Sequence, residues 1–292
     1  MQSYPQGGGM SMEARFFSFV LALVVCTCTG ASYRTANFIV TASTATMAKQ
    51  VAHAAEFYRK KQAIEWLGYE IPKWQTPCPI RVKSGRAIGA AGSTSFSFEH
   101  GLPSDWEMHV QGTPARILDS VIPHEVTHTV FASHFRQPLP RWADEGACTT
   151  TEHLTERQKQ HVLLHKYLSS GRGIPFNRMF RLSQYPTDIL PLYAQGYSVA
   201  RFLIAQGGKQ MFIRFLETGI KSKNWDNAVT KHYGFSDLSD LQLKWNDWVR
   251  RGSPKIQLPS AKTQLVSNKL PNKLTSKPTR ALVPIGFRKE ND

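Results

Sequence analysis

The sequence predicts an α+β fold, with a small mixed or mainly antiparallel sheet and one N-terminal helix, followed by a mainly helical C-terminal half. Short β-branched or alternating segments are concentrated before residue 112, whereas apolar residues recur at helical spacing after residue 141. The chain has 292 residues, of which 41% are hydrophobic and 7 are Trp. This is enough for one substantial domain, or two small ones, with a buried core.

The N-terminal half is expected to contain a strand, a helix and three further strands. A β-branched run predicts the first strand at residues 38–42, and apolar residues at helical spacing predict a helix over residues 45–67. The later strands are predicted at residues 79–82, 93–98 and 108–111. We expect the single helix to cover this sheet.

The central helix is predicted to begin at Thr113 and Pro114, a typical N-cap and first helical residue. It should extend to about Phe131. Pro123 lies inside this stretch, where it removes a backbone donor and clashes with the preceding turn. We therefore expect a kink at this point, or a helix that restarts there.

The remaining chain is predicted to be helical as far as residue 252. Ser236 is the predicted N-cap of the last helix, which extends through Trp248, and Gly207 with Gly208 is a predicted stop. The other helices are predicted at residues 142–151, 155–168, 192–205, 209–218 and 226–232. One domain over residues 35–252 would then precede a basic Pro- and Lys-rich tail, residues 253–292, in which we expect little fixed structure.

The N-terminus resembles an export signal. Arg15 precedes an apolar run at residues 16–25, which is far shorter than the ~20 residues of a membrane span, and Thr29-Gly30-Ala31 offers a small-residue cleavage site. We expect residues 1–31 to be a signal peptide, the protein to be exported, and no membrane span to remain after cleavage. An uncleaved N-terminal anchor is the alternative.

Export would leave two of the 4 cysteines in the mature chain, because Cys26 and Cys28 lie in or beside the signal. Cys78 and Cys148 form an even pair in an oxidising compartment, which permits a disulfide. Two separate buried thiols are the alternative, since sequence does not show whether the residues approach each other.

The net charge of +15 raises the question of nucleic acid or anionic surfaces as partners. Part of this excess lies in the tail after residue 252. The sequence has no zinc-finger spacing, RNA-binding aromatic motif or clear recognition helix. We therefore expect no nucleic-acid partner, and nothing in the sequence indicates an oligomeric state.

The motif His124-Glu125-Val126-Thr127-His128 places two imidazoles one helical turn apart on one face. Neutral imidazoles so placed can share a Zn²⁺ ion, and Glu125 would lie close enough to act as general base on a metal-bound water. The pattern is short, so an amphipathic helix that happens to carry two His and a Glu is the simple alternative.

Two residues compete for a third metal ligand. His134 follows His128 at the spacing of metzincins, but Phe131 stands where those enzymes have the Gly that turns the chain. On a continuing helix His134 would point about 240° away from His128. Glu145 is the stronger candidate, because it lies in Trp142-Ala143-Asp144-Glu145-Gly146 on the next predicted helix.

That segment resembles the Trp-x-x-Glu-Gly segment of gluzincins, the thermolysin-like and aminopeptidase-N-like zinc peptidases. Residues 192–196 (Leu-Tyr-Ala-Gln-Gly) resemble their downstream Tyr-x-x-Gly helix. The resemblance covers residues 38–251 and is to the peptidase MA-like group. It implies a zincin-like fold, a zinc ion on His124, His128 and Glu145, and Tyr193 as the donor to the transition-state oxyanion. Asp144 would then support a ligand, unless it is only a helix-start charge.

The resemblance also implies a peptide or protein substrate, paired along an edge strand within residues 93–111. The Gly-x-Met-Glu-Asn motif that reads a free amino terminus is missing, so aminopeptidase action is not supported. We expect an exported zinc peptidase. The alternatives are a zinc-bearing or degenerate protein that binds cell-wall or surface polymers, and a zinc hydrolase of a non-peptide amide or ester.

Overall fold

A computed structural model describes residues 30–256 of the chain. The predicted signal peptide or anchor, apart from Gly30 and Ala31, and the tail beyond residue 256 lie outside the described residues. Within residues 30–256, no helix has the length and apolarity needed to cross a bilayer.

The described residues form one five-stranded mixed sheet, so the predicted α+β class and the mixed sheet are confirmed. In space the order is β1, β2, β3, β5, β4. The central pairs β2–β3 and β3–β5 are parallel, and the outer pairs β1–β2 and β4–β5 are antiparallel. The strands are β1 Ala31–Arg34, β2 Phe38–Ala42, β3 Cys78–Ser84, β4 Ala91–Glu99 and β5 Leu102–Gly112.

Helix α1, Ala45–Leu67, forms where it was predicted and connects β2 to β3. The Thr44 side chain accepts a hydrogen bond from the Met47 backbone N–H (3.2 Å), and Gly68 ends the helix with φ 86°. One face of α1 packs on the buried residues of the central strands, among them Val40, Ile80 and Met108. This burial fixes the sheet register.

The strands differ from prediction in two respects. Strand β1 was not predicted, because its four residues alternate between exposed and half-buried and carry little apolar signal. Strands β4 and β5 form a hairpin longer than residues 93–98 and 108–111, with a register irregularity between Ser95 and Ser97. The added part of β5 includes Pro103, Ser104, Asp105 and Glu107, residue types that are uncommon in strands and weaken the sequence signal.

The predicted interruption near Pro123 is present. A short helix α2, Pro114–Arg116, leads into a π-helical turn, Ile117–Val121, and helix α3, Ile122–Phe135, starts immediately after it. The Ile122 N–H donates to the carbonyl of Ile117, five residues back. Since Pro123 has no N–H to donate, the wider turn allows the helix to continue past it.

Six helices follow, and most predicted helices are confirmed within a few residues. Gly208 has non-helical angles (φ 76°, ψ 173°) inside α7, so the predicted stop is a kink. The predicted N-cap of the last helix, Ser236, is wrong. The cap is Asp237, whose side chain accepts a hydrogen bond from Asp240 N (2.8 Å). Helix α6 was not predicted. The helices are α4 Arg141–Thr149, α5 Leu154–Ser169, α6 Phe176–Met179, α7 Leu190–Ser222, α8 Trp225–Tyr233 and α9 Leu238–Arg250.

Helix α3 lies between two apolar cores. Ile122 and Val126 pack with the sheet and α1, whereas Val130 and Phe131 pack with the C-terminal helices. Helix α3 is thus buried on most sides, which holds its polar residues in fixed positions.

The two cysteines of the domain are free and buried. The predicted disulfide is therefore wrong, and the alternative of two separate buried thiols is confirmed. Cys78 begins β3 in the sheet core, and Cys148 lies on α4 in the helical core. The two thiols therefore lie in different apolar cores.

Candidate metal centre

A cleft of about 560 Å³ opens between the edge strand β4 and helix α3. Helix α4, the start of α5, and the first turn of α7 with the segment before it complete its walls. It contains all five residues that the sequence predicted for the site: His124, Glu125, His128, Glu145 and Tyr193. Residues from five separate parts of the chain therefore meet in one cavity.

The two histidines of α3 face the carboxylate of Glu145. Their rings are 5.0 Å apart between centroids. Oε2 of Glu145 lies 3.4 Å from Nε2 of His124 and 3.7 Å from Nε2 of His128. All three side chains are largely buried, so one nitrogen of each imidazole and one carboxylate oxygen converge on one small space.

The other nitrogen of each imidazole donates to a carboxylate. Nδ1 of His124 donates to Oε1 of Glu152 (2.6 Å), and Nδ1 of His128 donates to Oδ1 of Asp144 (2.8 Å). These bonds fix the rings with their Nε2 atoms towards Glu145. Sequence reasoning missed Glu152, because its approach depends on the turn before α5, where Ser120 Oγ accepts from His153 N (3.1 Å).

A glycine pair brings α4 and α7 together beneath the site. A Cβ on Gly146 would lie 2.3 Å from the carbonyl oxygen of Gly196, and a Cβ on Gly196 would lie 2.6 Å from the carbonyl oxygen of Trp142. The two backbones can approach this closely only without those side chains. The contact places Glu145 and Tyr193, each next to or near one glycine, in the same cleft.

Glu125 is held against the edge strand. It is 4% exposed, and its Oε2 accepts a hydrogen bond from Oγ1 of Thr94 (2.7 Å). A Cβ on Gly92 would lie 2.3 Å from Oε1 of the same carboxylate. The Gly92 position therefore leaves the space that Glu125 occupies.

Tyr193 lines the cleft with a second tyrosine that sequence reasoning missed. The rings of Tyr185 and Tyr193 are nearly parallel (8°) with centroids 6.5 Å apart, and the Tyr185 hydroxyl donates to Oε1 of Glu145. Burial, and then the Glu145 carboxylate, raise the pKa of both hydroxyls. The Arg141 guanidinium lies 4.6 Å above the Tyr185 ring. No motif signals Tyr185, which precedes α7 in an irregular segment.

Without a metal ion, the imidazoles and carboxylates of the site favour each other's charged forms. Burial opposes protonation of His124 and His128, but hydrogen bonds to Glu145 and Glu152 raise the pKa of His124 well above its usual value. Asp144 and Glu145 raise the pKa of His128 to about 9. Burial would raise the pKa of Glu145, yet the two imidazoles lower it to about 2. Cations are thus favoured among these carboxylates.

Cys148 is a further candidate ligand. One atom from each of His124, His128 and Cys148 lies within 4.8 Å of the others, so these three residues could hold a metal ion. The Cys148 sulfur lies 3.4 Å from Nδ1 of His128, the nitrogen that is bonded to Asp144. Burial and four nearby carboxylates raise the pKa of its thiol well above the usual value.

His134 lies outside the cleft, as expected from Phe131. Its Nδ1 is 3.0 Å from the Tyr69 hydroxyl, and its Nε2 is 2.8 Å from Oε1 of Glu217. The metzincin alternative therefore has no support in the position of this side chain.

Comparison with known proteins gives no family assignment. No protein-family model matches the chain, and no curated protein matches its sequence. The interpretation of the cleft depends on the chemistry of its own residues.

Proposed function

We propose that the protein is a zinc-dependent peptidase whose active site is the cleft between β4 and α3. One observation carries the proposal: Nε2 of His124 and Nε2 of His128 converge on Oε2 of Glu145, with Glu125 in the same cleft. Zinc peptidases need two imidazoles, a third ligand and a carboxylate base in this arrangement.

The donor set fits zinc. In a tetrahedral zinc site with bonds of about 2.0–2.2 Å, neighbouring ligand atoms are separated by about 3.4 Å. The distances from Oε2 of Glu145 to the two Nε2 atoms are 3.4 and 3.7 Å. His124, His128 and Glu145 would hold the ion and leave a fourth position, and bound zinc would supply an acidified water and polarise a substrate carbonyl.

Glu145 is a better third ligand than Cys148. Cys148 lies beside Nδ1 of His128, and that nitrogen is already bonded to Asp144. A zinc ion bound between Nδ1 of His128 and the Cys148 sulfur would have to displace Asp144 from that nitrogen. A protonated thiol surrounded by carboxylates must also lose a proton before it can bind metal.

Glu125 would act as the general base. Thr94 donates to its Oε2, which leaves Oε1 to take the proton of the attacking water. The same oxygen would then pass the proton to the leaving amine. The bond to Thr94 and the close contact with Gly92 hold this carboxylate in place, so that the proton transfer needs little rearrangement.

Tyr193 would donate to the substrate oxygen as negative charge develops on it. Burial keeps its hydroxyl protonated at neutral pH, which a donor requires. Both the Tyr185 and the Tyr193 hydroxyls lie close to Glu145, so the choice of Tyr193 rests on its position in the segment that resembles the gluzincin Tyr-x-x-Gly helix. A base and an oxyanion donor in one cleft favour a catalyst over a protein that only binds surface polymers.

The placement of the elements supports the resemblance to gluzincins. An edge strand lies along the H-E-x-x-H helix, and the next helix carries the glutamate that faces both histidines. We propose a zincin-like fold on this ground.

Hydrolysis by the full chain tests the proposal. The zinc-loaded protein would be incubated with casein and with a mixed peptide library, and products would be read by mass spectrometry. We expect cleavage that falls about 10²–10⁴-fold in Glu125→Gln, with zinc content unchanged. The matched control is Glu107→Gln, whose carboxylate is half-exposed on β5 and should leave cleavage unchanged. No cleavage by the zinc-loaded chain, or equal cleavage by Glu125→Gln, would overturn the proposal.

A further inference from the structure

The cleft differs in charge from the chain as a whole. The chain carries a net charge of +15, yet five of the residues that line the cleft are Asp or Glu and only one is Arg. Arg141, the one arginine among the lining residues, lies over the Tyr185 ring, 3.8 Å from a carboxylate oxygen of Asp144. The cleft is thus an acidic cavity in a basic protein.

Some of the acidic and polar residues that line the cleft lie beyond the three proposed metal ligands. Glu156 and Gln160 are one turn apart on α5 and share one face. Glu152 lies in the turn before that helix. Thr149 precedes them at the end of α4, and its carbonyl accepts a hydrogen bond from Glu152 N (3.2 Å). All four residues line the cleft. We call this group the α5 end of the cleft.

Two buried polar atoms at the α5 end have no hydrogen-bond partner among the described residues. They are Oγ1 of Thr149, whose residue is 1% exposed, and Oε1 of Gln160. A buried polar atom without a protein partner is costly unless another group bonds it, so both atoms can accept a hydrogen bond from a bound ligand. Gln160 Oε1 can only accept, so a group that bonds it must be a donor.

The charged neighbours of the α5 end leave it available to a cation. Lys159 donates to both carboxylate oxygens of Glu156 (2.9 and 2.8 Å), but Lys159 is 66% exposed, and such a pair contributes little. Glu152 is 16% exposed and bonds His124 through Oε1, which leaves its other oxygen. Arg157 lies close enough to Tyr197 to influence that hydroxyl and does not line the cleft.

We propose that the α5 end of the cleft is a subsite for a cationic side chain of the substrate, a lysine ammonium or an arginine guanidinium. The inference rests on the proposed peptidase function and adds the substrate class. The cation would donate to Glu156, to Oε1 of Gln160 and to Oγ1 of Thr149. Several donors on one positive group match this set of acceptors, whereas an apolar or acidic side chain leaves them unpaired.

Cleavage of matched peptides tests the subsite. A set of quenched peptides would differ only in the residue on either side of the cleaved bond: Lys, Arg, norleucine or Glu. We expect kcat/KM to be about 10- to 100-fold higher for Lys or Arg than for norleucine at one position. In Glu156→Gln this ratio should fall, and in Glu156→Lys the preference should move towards Glu. Glu107→Gln is the matched control and should retain the ratio.

A binding measurement separates the two proposals. Zinc-loaded Glu125→Gln would be titrated with the Lys peptide and the norleucine peptide, by calorimetry. Tighter binding of the Lys peptide, weakened by Glu156→Gln, supports the subsite even if no peptide is cleaved, an outcome that would overturn only the peptidase. Equal cleavage and binding of Lys and norleucine peptides, or a preference that Glu156→Gln leaves intact, would overturn the subsite.

Discussion

Two pairs of histidines in this molecule share the same spacing but have different surroundings. His124 and His128 on α3 have ring centroids 5.0 Å apart, and His161 with His165 on α5 have centroids 4.7 Å apart. Around the α3 pair, carboxylates of Asp144, Glu145 and Glu152 contact the imidazole nitrogens. Around the α5 pair the neighbouring charge is a cation: burial, then His165 and Arg201, lower the pKa of His161.

The difference shows that one-turn spacing alone does not make a metal site. Spacing of four residues brings two imidazoles together on any helix. The α3 pair becomes a candidate centre because α4, and the turn that precedes α5, supply carboxylates that orient the rings and complete the ligand set. Such partners come from distant parts of the chain and depend on the tertiary fold.

The largest expected effect is on metal binding. His124→Ala or His128→Ala should weaken zinc binding by more than about 100-fold, because each removes a direct ligand, a larger loss than that of an orienting partner. His161→Ala and His165→Ala are matched controls and should change it little. Competition with a chromophoric chelator measures the dissociation constant. Equal weakening by both pairs would contradict the distinction drawn between them.

A large effect on catalysis without loss of metal is expected from Gly92→Ala. The new Cβ would lie 2.3 Å from Oε1 of Glu125, so the carboxylate must move, and a displacement of about 1 Å can lower kcat about 10²-fold. Gly89→Ala is the matched control, because no atom lies within 4 Å of its Cβ position. Steady-state kinetics and zinc content would be measured on both. Unchanged kcat in Gly92→Ala would show that the position of Glu125 does not matter.

The carboxylates that orient the rings should matter less than the ligands. Asp144→Ala should weaken zinc binding about 10- to 100-fold, since Nδ1 of His128 loses its partner. Glu217→Ala removes a comparable carboxylate from His134, 2.8 Å away, and should leave zinc binding unchanged. The same chelator titration applies. A loss below twofold in Asp144→Ala would mean that the ring is held by packing alone.

The remaining prediction involves no substitution at the site and concerns the pH dependence of zinc-induced stabilisation. Burial disfavours the charged imidazole, but Asp144 raises the pKa of His128 from 6.5 to about 9 in the metal-free chain. The stability due to the protonated ring is complete below pH 6.5 and is lost as pH rises through about 9. Zinc needs the neutral ring and competes with this proton. The free energy of stabilisation by zinc should therefore increase over this range, by about 1.4 kcal/mol per pH unit for each proton displaced, and the rise in Tm on adding zinc should increase with it.

Calorimetric melting with and without zinc would follow this dependence. His161→Ala should show the same slope as the unmodified chain. A zinc-induced shift that is constant or decreases from pH 6.5 to 9 would contradict the proton competition at His128.

Features encoded locally were predictable from sequence. The bounds of α1, the interruption at Pro123 and the end of α8 at Gly234 follow from caps, a missing N–H and a left-handed glycine. In the last helix, Asp237 and Ser236 are both good N-caps, and only the backbone decides between them. Residue preferences alone therefore could not identify which of the two caps the helix.

Features that depend on tertiary contact were not predictable. Glu152 and Tyr185 belong to no motif, and each reaches the site across a long stretch of sequence. The roles of Gly146 and Gly196 in the α4–α7 contact also need the packed structure. The sequence thus predicted the motif residues of the site, whereas the side chains that orient them could be identified only in the folded structure.

Zinc content of purified Glu145→Ala beside Cys148→Ala tests the central claim most directly. Both residues are buried on α4 and both contact the histidine pair, so they are matched in position and differ in predicted role. We predict about one zinc ion per chain in the unmodified protein and in Cys148→Ala, and loss of zinc in Glu145→Ala. Zinc retained in Glu145→Ala and lost in Cys148→Ala would contradict the His124, His128, Glu145 ligand set.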